Sequence, residues 1–169
     1  SHMLKFVLLS MFIMTLYSGQ GKWYKGNLNN IEELSLDINL KGSEEAAWKK
    51  SIKSYIELTL LQNNIPLTLG KPMPKLILDI EVIDSSVEHT SSYMVDFSIY
   101  DYGLSEQKYS KAYGDSSLVK RMGIYRIYSQ EILGQSTSSR VYKDIETAIR
   151  KCMNLLINQW YKDNPTKSL

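Results

Sequence analysis

The segment from Val141 to Trp160 places the strongest constraint on this chain. Val141, Ile145, Ala148, Ile149, Cys152, Leu156, Gln159 and Trp160 form one stripe at helical spacing, with Lys143, Asp144, Glu146, Arg150 and Lys151 on the other side. A helix with a single apolar stripe needs a second layer to bury it. The rest of the chain must supply that layer, and it does so by alternation. Over residues 75–83, Leu76, Leu78, Ile80 and Val82 point one way and Asp79 and Glu81 the other. Period two at this length predicts a strand with one buried face.

Three further segments read the same way. Residues 31–40 carry Leu34, Leu36, Ile38 and Leu40 against Ser35, Asp37 and Asn39, and residues 93–102 carry Tyr93, Val95, Phe97 and Ile99 against Asp96 and Ser98. Residues 123–133 place Ile124, Arg126 and Tyr128 on one face and Tyr125, Ile127 and Ser129 on the other. A second helix is expected after Gly42, with Ser43 as N-cap and Glu44 and Glu45 in its first turn, where the helix dipole favours acids. Its stripe is Trp48, Ile52, Tyr55, Ile56 and Thr59, and it ends near Asn63 and Asn64, ahead of Pro66. Residues 70–74 form a stiff connector, 84–92 a polar hairpin loop, and 103–121 a polar stretch read as a long loop or an edge strand. The expected fold class is α+β. It is a largely antiparallel sheet of about four strands with two amphipathic helices on one face, in the order β-α-β-β-β-α.

The N-terminal region carries an address. Lys5 precedes an apolar run from Phe6 to Tyr17, and Ser18-Gly19-Gln20-Gly21 follows. A positive start, a short apolar segment and a small-residue exit are the layout of a secretory leader. The run is shorter than the roughly 20 apolar residues a spanning helix needs. The division is therefore a cloning remnant at 1–2, a leader at 3–21, a linker at 22–30, a single domain at 31–165 and a tail at 166–169. The expected location is periplasmic or secreted, with membrane contact only through an uncleaved leader. Cys152 is the only cysteine, so no internal disulfide forms and the fold rests on its core. Its helical neighbours read as core, which makes it a small buried hydrophobe.

Motifs for chemistry are sparse. The net charge of +2 lacks the concentrated basic face of a nucleic-acid binder. His89 is the one native histidine, which leaves no multi-histidine metal set. Glycines stand singly, with no phosphate-cradling or dinucleotide-binding pattern. No cofactor is expected. An enzyme reading has two footholds, both ordinarily solvated positions: His89 with its neighbouring serines and Asp84 on one loop, and Asp79, Glu81 and Asp96 on one sheet face.

Tyrosine is the outlier, with 12 residues against 3 Phe. Seven fall between Tyr93 and Tyr128, and Tyr both builds strands and presents stiff contact surface with a polar tip. Tyr93, Tyr100, Tyr102, Tyr125 and Tyr128 are the candidate binding residues, for a protein partner held on the sheet face or its edge. Tyr100 and Tyr102 should share the face opposite Val95, Phe97 and Ile99. The expected function is a non-enzymatic binding or accessory module. The alternatives are an inhibitor or immunity-type protein that blocks an enzyme, and a small hydrolase using Asp79, Glu81, Asp96 or His89.

Four stretches carry a resemblance: Ile31 to Ile38 before the first helix, Asn64 to Leu67 at its exit, Lys75 to Val82 as the next strand, and Gln159 to Pro165 closing the last helix. In this pattern the chain resembles small bacterial envelope α/β proteins of unassigned function, and small periplasmic assembly-factor domains that pack two helices on a sheet. The resemblance implies a non-enzymatic envelope role and transfers no functional residues.

Overall fold

A computed structural model describes residues 25–42, 46–85, 88–105, 107–108, 111 and 122–167. The elements are β1 (Ser35–Lys41), α1 (Ala46–Gln62), β2 (Lys75–Asp84), β3 (Thr90–Gly103), β4 (Gly123–Thr137) and α2 (Val141–Asp163), with a short 3-10 turn at Pro165–Lys167. This is the α+β order read from the sequence. The sheet runs β1-β2-β3-β4; β1 pairs with β2 in parallel, and the other two pairings are antiparallel. The parallel pair follows from α1, which carries the chain back between the two strands. The leader, the Ser43 cap, Tyr109 and Tyr113 lie outside the described residues.

Register assigns every strand residue to a face. Leu36, Ile38 and Leu40 align with Leu76, Leu78 and Ile80. Leu76, Leu78 and Ile80 align in turn with Ile99, Phe97 and Val95, and these with Tyr128, Gln130 and Ile132. This is the inner face. Ile52, Ile56 and Leu60 of α1 and Ile145, Ile149, Cys152, Leu156 and Trp160 of α2 join it in one buried cluster. Burying each large apolar side chain contributes about 1.5–3 kcal/mol.

Local chemistry ends the elements where the sequence suggests. Asn64 takes a left-handed conformation (φ 57°) and the Ile65 amide donates to the Leu60 carbonyl at 2.9 Å, which closes α1. Gly42 leaves β1 with φ 78°, and a Cβ there would lie 1.9 Å from the Val82 carbonyl oxygen. Only glycine fits that turn.

The stretch read as a linker is partly built into the fold. Asp163, at the end of α2, accepts the Gly26 amide at 2.9 Å, the Leu28 amide at 3.0 Å and the Gln159 side-chain amide at 2.8 Å. Asn164 accepts the Asn30 amide at 3.1 Å and donates to the Leu28 carbonyl at 2.9 Å. Leu28 is fully buried between these contacts. A carboxylate this buried is tolerated because donors satisfy it.

Candidate functional site

The outer face of the sheet has no helix over it among the described residues, and its side chains change character along the strands. At one end lie Ile83, Met94 and Leu133. A polar row follows, in which Asn39, Asp79, Asp96 and Glu131 are successive cross-strand partners. The far end holds Lys75, Tyr100, Arg126, Tyr102 and Ile124.

A bulge decides which β4 side chains reach this face. Ile99 pairs with Tyr128 but Tyr100 pairs with Arg126, so Ile127 has no opposite residue. One extra residue shifts the alternation by one. Arg126 and Ile124 therefore lie on the outer face while Tyr128 points inward. The sequence pattern had placed all three together, and an inserted residue is invisible to period-two reading.

The candidate tyrosines consequently separate. Tyr100 and Tyr102 share the outer face as expected; Tyr102 is 49% exposed and Tyr100 half-buried. Tyr125 is 40% exposed, pairs with Asp101, and lies on the other side of the strand from Tyr102. Its ring fills the space beside Gly103 and Gly123, where added Cβ atoms would lie 2.9 and 3.1 Å from ring carbons. Tyr128 is a correction: at 5% exposure it belongs to the core and offers no contact surface. Burial, and secondarily Cys152, hold its phenol above the ordinary range. Tyr93 is half-buried on the inner face. It packs against the core, and its ring covers Gly134 across the pair, where a Cβ would lie 2.4 Å away.

Other chemistry-bearing groups are engaged elsewhere. Burial pushes the Cys152 thiol up to about 12, with the Asp96 charge raising it further and Lys151 opposing. A thiol in that state is protonated and inert at neutral pH. Asp79 accepts the Asn39 side-chain amide at 2.8 Å, and Asp96 accepts the Ser98 hydroxyl at 2.5 Å. Ser91 is buried and gives its hydroxyl to Asp84, so this serine bonds to the acid. Among the described residues, no group of three or more His, Cys, Asp or Glu side chains is placed to hold a metal ion.

A groove of about 410 Å³ lies beside β1 between Lys53 and Glu57 of α1 and residues 67–72. Its charges pair with one another or with neighbours: Lys75 with Asp37 at 2.8 Å, Lys71 with Glu33 at 2.6 Å and Lys53 with Glu57 at 3.8 Å. The hydrogen bond to Glu33 raises the Lys71 ammonium above its usual range. Little charge is left there to select a ligand.

No protein-family model matches this chain, and no curated protein matches it. Among solved structures it is similar to a minor lipoprotein from Acinetobacter baumannii, with 7% identity over 82% of this chain and 95% of that one and a TM-score of 0.29. A likeness of that size assigns neither family nor function. Among the described residues, no helix is long and apolar enough to cross a membrane.

Sequence reasoning missed the exposed aliphatics. Ile124 is 57% and Leu133 69% exposed, on the same outer face as Tyr102. Alternation marks two faces of a strand but not which face is covered, so the only available signal was that both faces of β4 carry apolar residues.

Proposed function

We propose that this chain is a non-enzymatic binding or accessory module of the bacterial envelope, exported by its 3–21 leader, which holds a protein partner on the outer sheet face around Tyr100 and Tyr102. One observation carries the reading: Tyr102 stands half-exposed beside Tyr100 on a sheet face that no described helix covers. Aromatic side chains on an open, stiff surface supply large contact area at low entropic cost. The Lys5-to-Gly21 pattern supports export. The acids favour no catalytic reading, because Asp79 and Asp96 lie side by side on this open face and each is already hydrogen-bonded within the sheet.

The test places a photo-crosslinking amino acid at Tyr102 and, as a control, at Asn39 on the same face. The chain is expressed from Met3 and the envelope fraction is collected. A discrete adduct with a different protein, formed from position 102 and lost on Tyr100→Ala, is the expected result. No adduct, or equal adducts from both positions, overturns the partner surface. The mass of the exported product tests the leader separately. It should be shorter by about 16–19 residues, and a full-length cytosolic product overturns export.

A further inference from the structure

We infer that the outer edge of β4 pairs with the same edge of a second copy of this chain, antiparallel about a two-fold axis at Ser129. β4 is a terminal strand 15 residues long, and no strand lies on its outer side among the described residues. An exposed edge of that length is a template for another strand. The question is which strand it fits, and its own side chains answer it.

A two-fold pairing at an edge requires the strand to be complementary to its own reverse. Set Ser129 opposite Ser129 of the second copy. Tyr128 then meets Gln130. Ile127, the bulged residue, is skipped, as it is within the sheet. From there Arg126 meets Glu131, Tyr125 meets Ile132, and Ile124 meets Leu133. The run closes with Gly123 against Gly134, where neither adds a side chain. Every pair joins residues of the same face, because the bulge shifts the alternation by one between the two halves of the strand. Without the bulge, residues 126 and 131 would point to opposite faces and the match would fail.

The chemistry of the pairs agrees. Ile124 and Leu133 are among the most exposed large apolar side chains described, and each would cover the other at both ends of the ladder. Arg126 and Glu131 are both exposed, and neither has an ion-pair partner among the described residues. The pairing gives each the opposite charge, twice by symmetry. Sliding the register by two residues puts Ile124 opposite Glu131 or Gln135 and Arg126 opposite Ser129 or Leu133, so both matches are lost. The skipped Ile127 has its carbonyl taken by the Asn27 side-chain amide at 2.8 Å, so its omission from the ladder leaves that acceptor satisfied.

This inference stands apart from the partner surface, because Tyr100 and Tyr102 lie on β3, one strand in from the edge. The pairing would join two sheets into one of eight strands and leave both tyrosine pairs on its open face.

The test is sedimentation of the full chain with charge reversal, together with a single-cysteine crosslink. Arg126→Glu should weaken the dimer by about tenfold, since two attractive pairs become two repulsive ones. Glu131→Arg should do the same, and the double reversal should restore it. Both residues are exposed, so the variants fold, which circular dichroism checks. Ser129→Cys should form a disulfide-linked dimer under mild oxidation while Asn39→Cys beside the other edge does not; Cys152 is buried and stays out of the reaction. A monomer at every concentration with Ser129→Cys unlinked overturns the inference and leaves the edge to a foreign strand. A dimer indifferent to charge reversal, or one linked through Asn39→Cys, overturns it in favour of another contact, such as the N-terminal apolar run.

Discussion

The two edges of this sheet are closed by different means. At the β1 edge the chain caps itself. Leu34, just before the strand, donates its amide to the Pro66 carbonyl at 3.0 Å and accepts the Thr68 amide at 2.8 Å, so residues 66–68 clip onto the start of the edge. β1 is only seven residues long, and the lysines beside it are matched to acids. Shortness and local covering are two ordinary defences of an edge strand. β4 is about twice as long, has no strand on its outer side among the described residues, takes the Asn27 side-chain amide at its Ile127 carbonyl, and presents Ile124, Arg126, Glu131 and Leu133. One edge is clipped by its own chain, and the other is the edge proposed to self-pair. That proposal rests on this contrast and not on which residues are aromatic.

Three measurements sharpen or break that contrast. The largest effect should come from Leu34→Ala. Leu34 is fully buried beneath the 66–68 clip, so its truncation should cost about 2–5 kcal/mol in chemical denaturation. A loss below about 1 kcal/mol would mean the Leu34 side chain is not packed into the core beneath the β1 edge. A smaller effect concerns the inner side of β4. Tyr128 and Cys152 both have raised values in the folded chain, so their neutral forms are favoured there. The unfolded chain then releases these protons first. Stability should be complete below about pH 8.5, where the unfolded thiol is still protonated, and fall as pH rises towards 12. Denaturation midpoints across pH 8–11 check this, and Cys152→Ala should flatten part of the slope. Midpoints that hold level in the parent chain would contradict the buried placement of the pair. The smallest effect is expected at the open edge. Ile124→Ser and Leu133→Ser should each change monomer stability by no more than about 0.5 kcal/mol, because both side chains are already in water. A loss above 1 kcal/mol at either position would show that the β4 edge is covered within the monomer.

What was legible in the sequence follows from periodicity. The α2 stripe from Val141 to Trp160 and the inward run Leu76, Leu78, Ile80 and Val82 repeat at the spacing of their elements, and these positions form the core. Tyr100 and Tyr102 were placed on the correct face because no irregularity separates them from Ser98 and Asp96. Tyr128 was misplaced because the Ile127 bulge lies between it and Arg126, and a single extra residue carries no compositional mark. The N-terminal clamp was illegible for another reason. Asp163 and Asn164 sit at a helix end, where polar residues are ordinary, and their partners near residue 28 are more than 130 positions away. Periodicity reports on neighbours three or four apart and is silent about such pairs.

That clamp also sets an order of events. Its receptor, Asp163 with Asn164, is made more than 130 residues after its cargo, residues 26–30. The 26–30 turn can therefore be fixed in place only after all four strands and the last helix have been made. Once the last helix docks, residues 26–30 and 163–164 are drawn side by side, like the two cords of a purse.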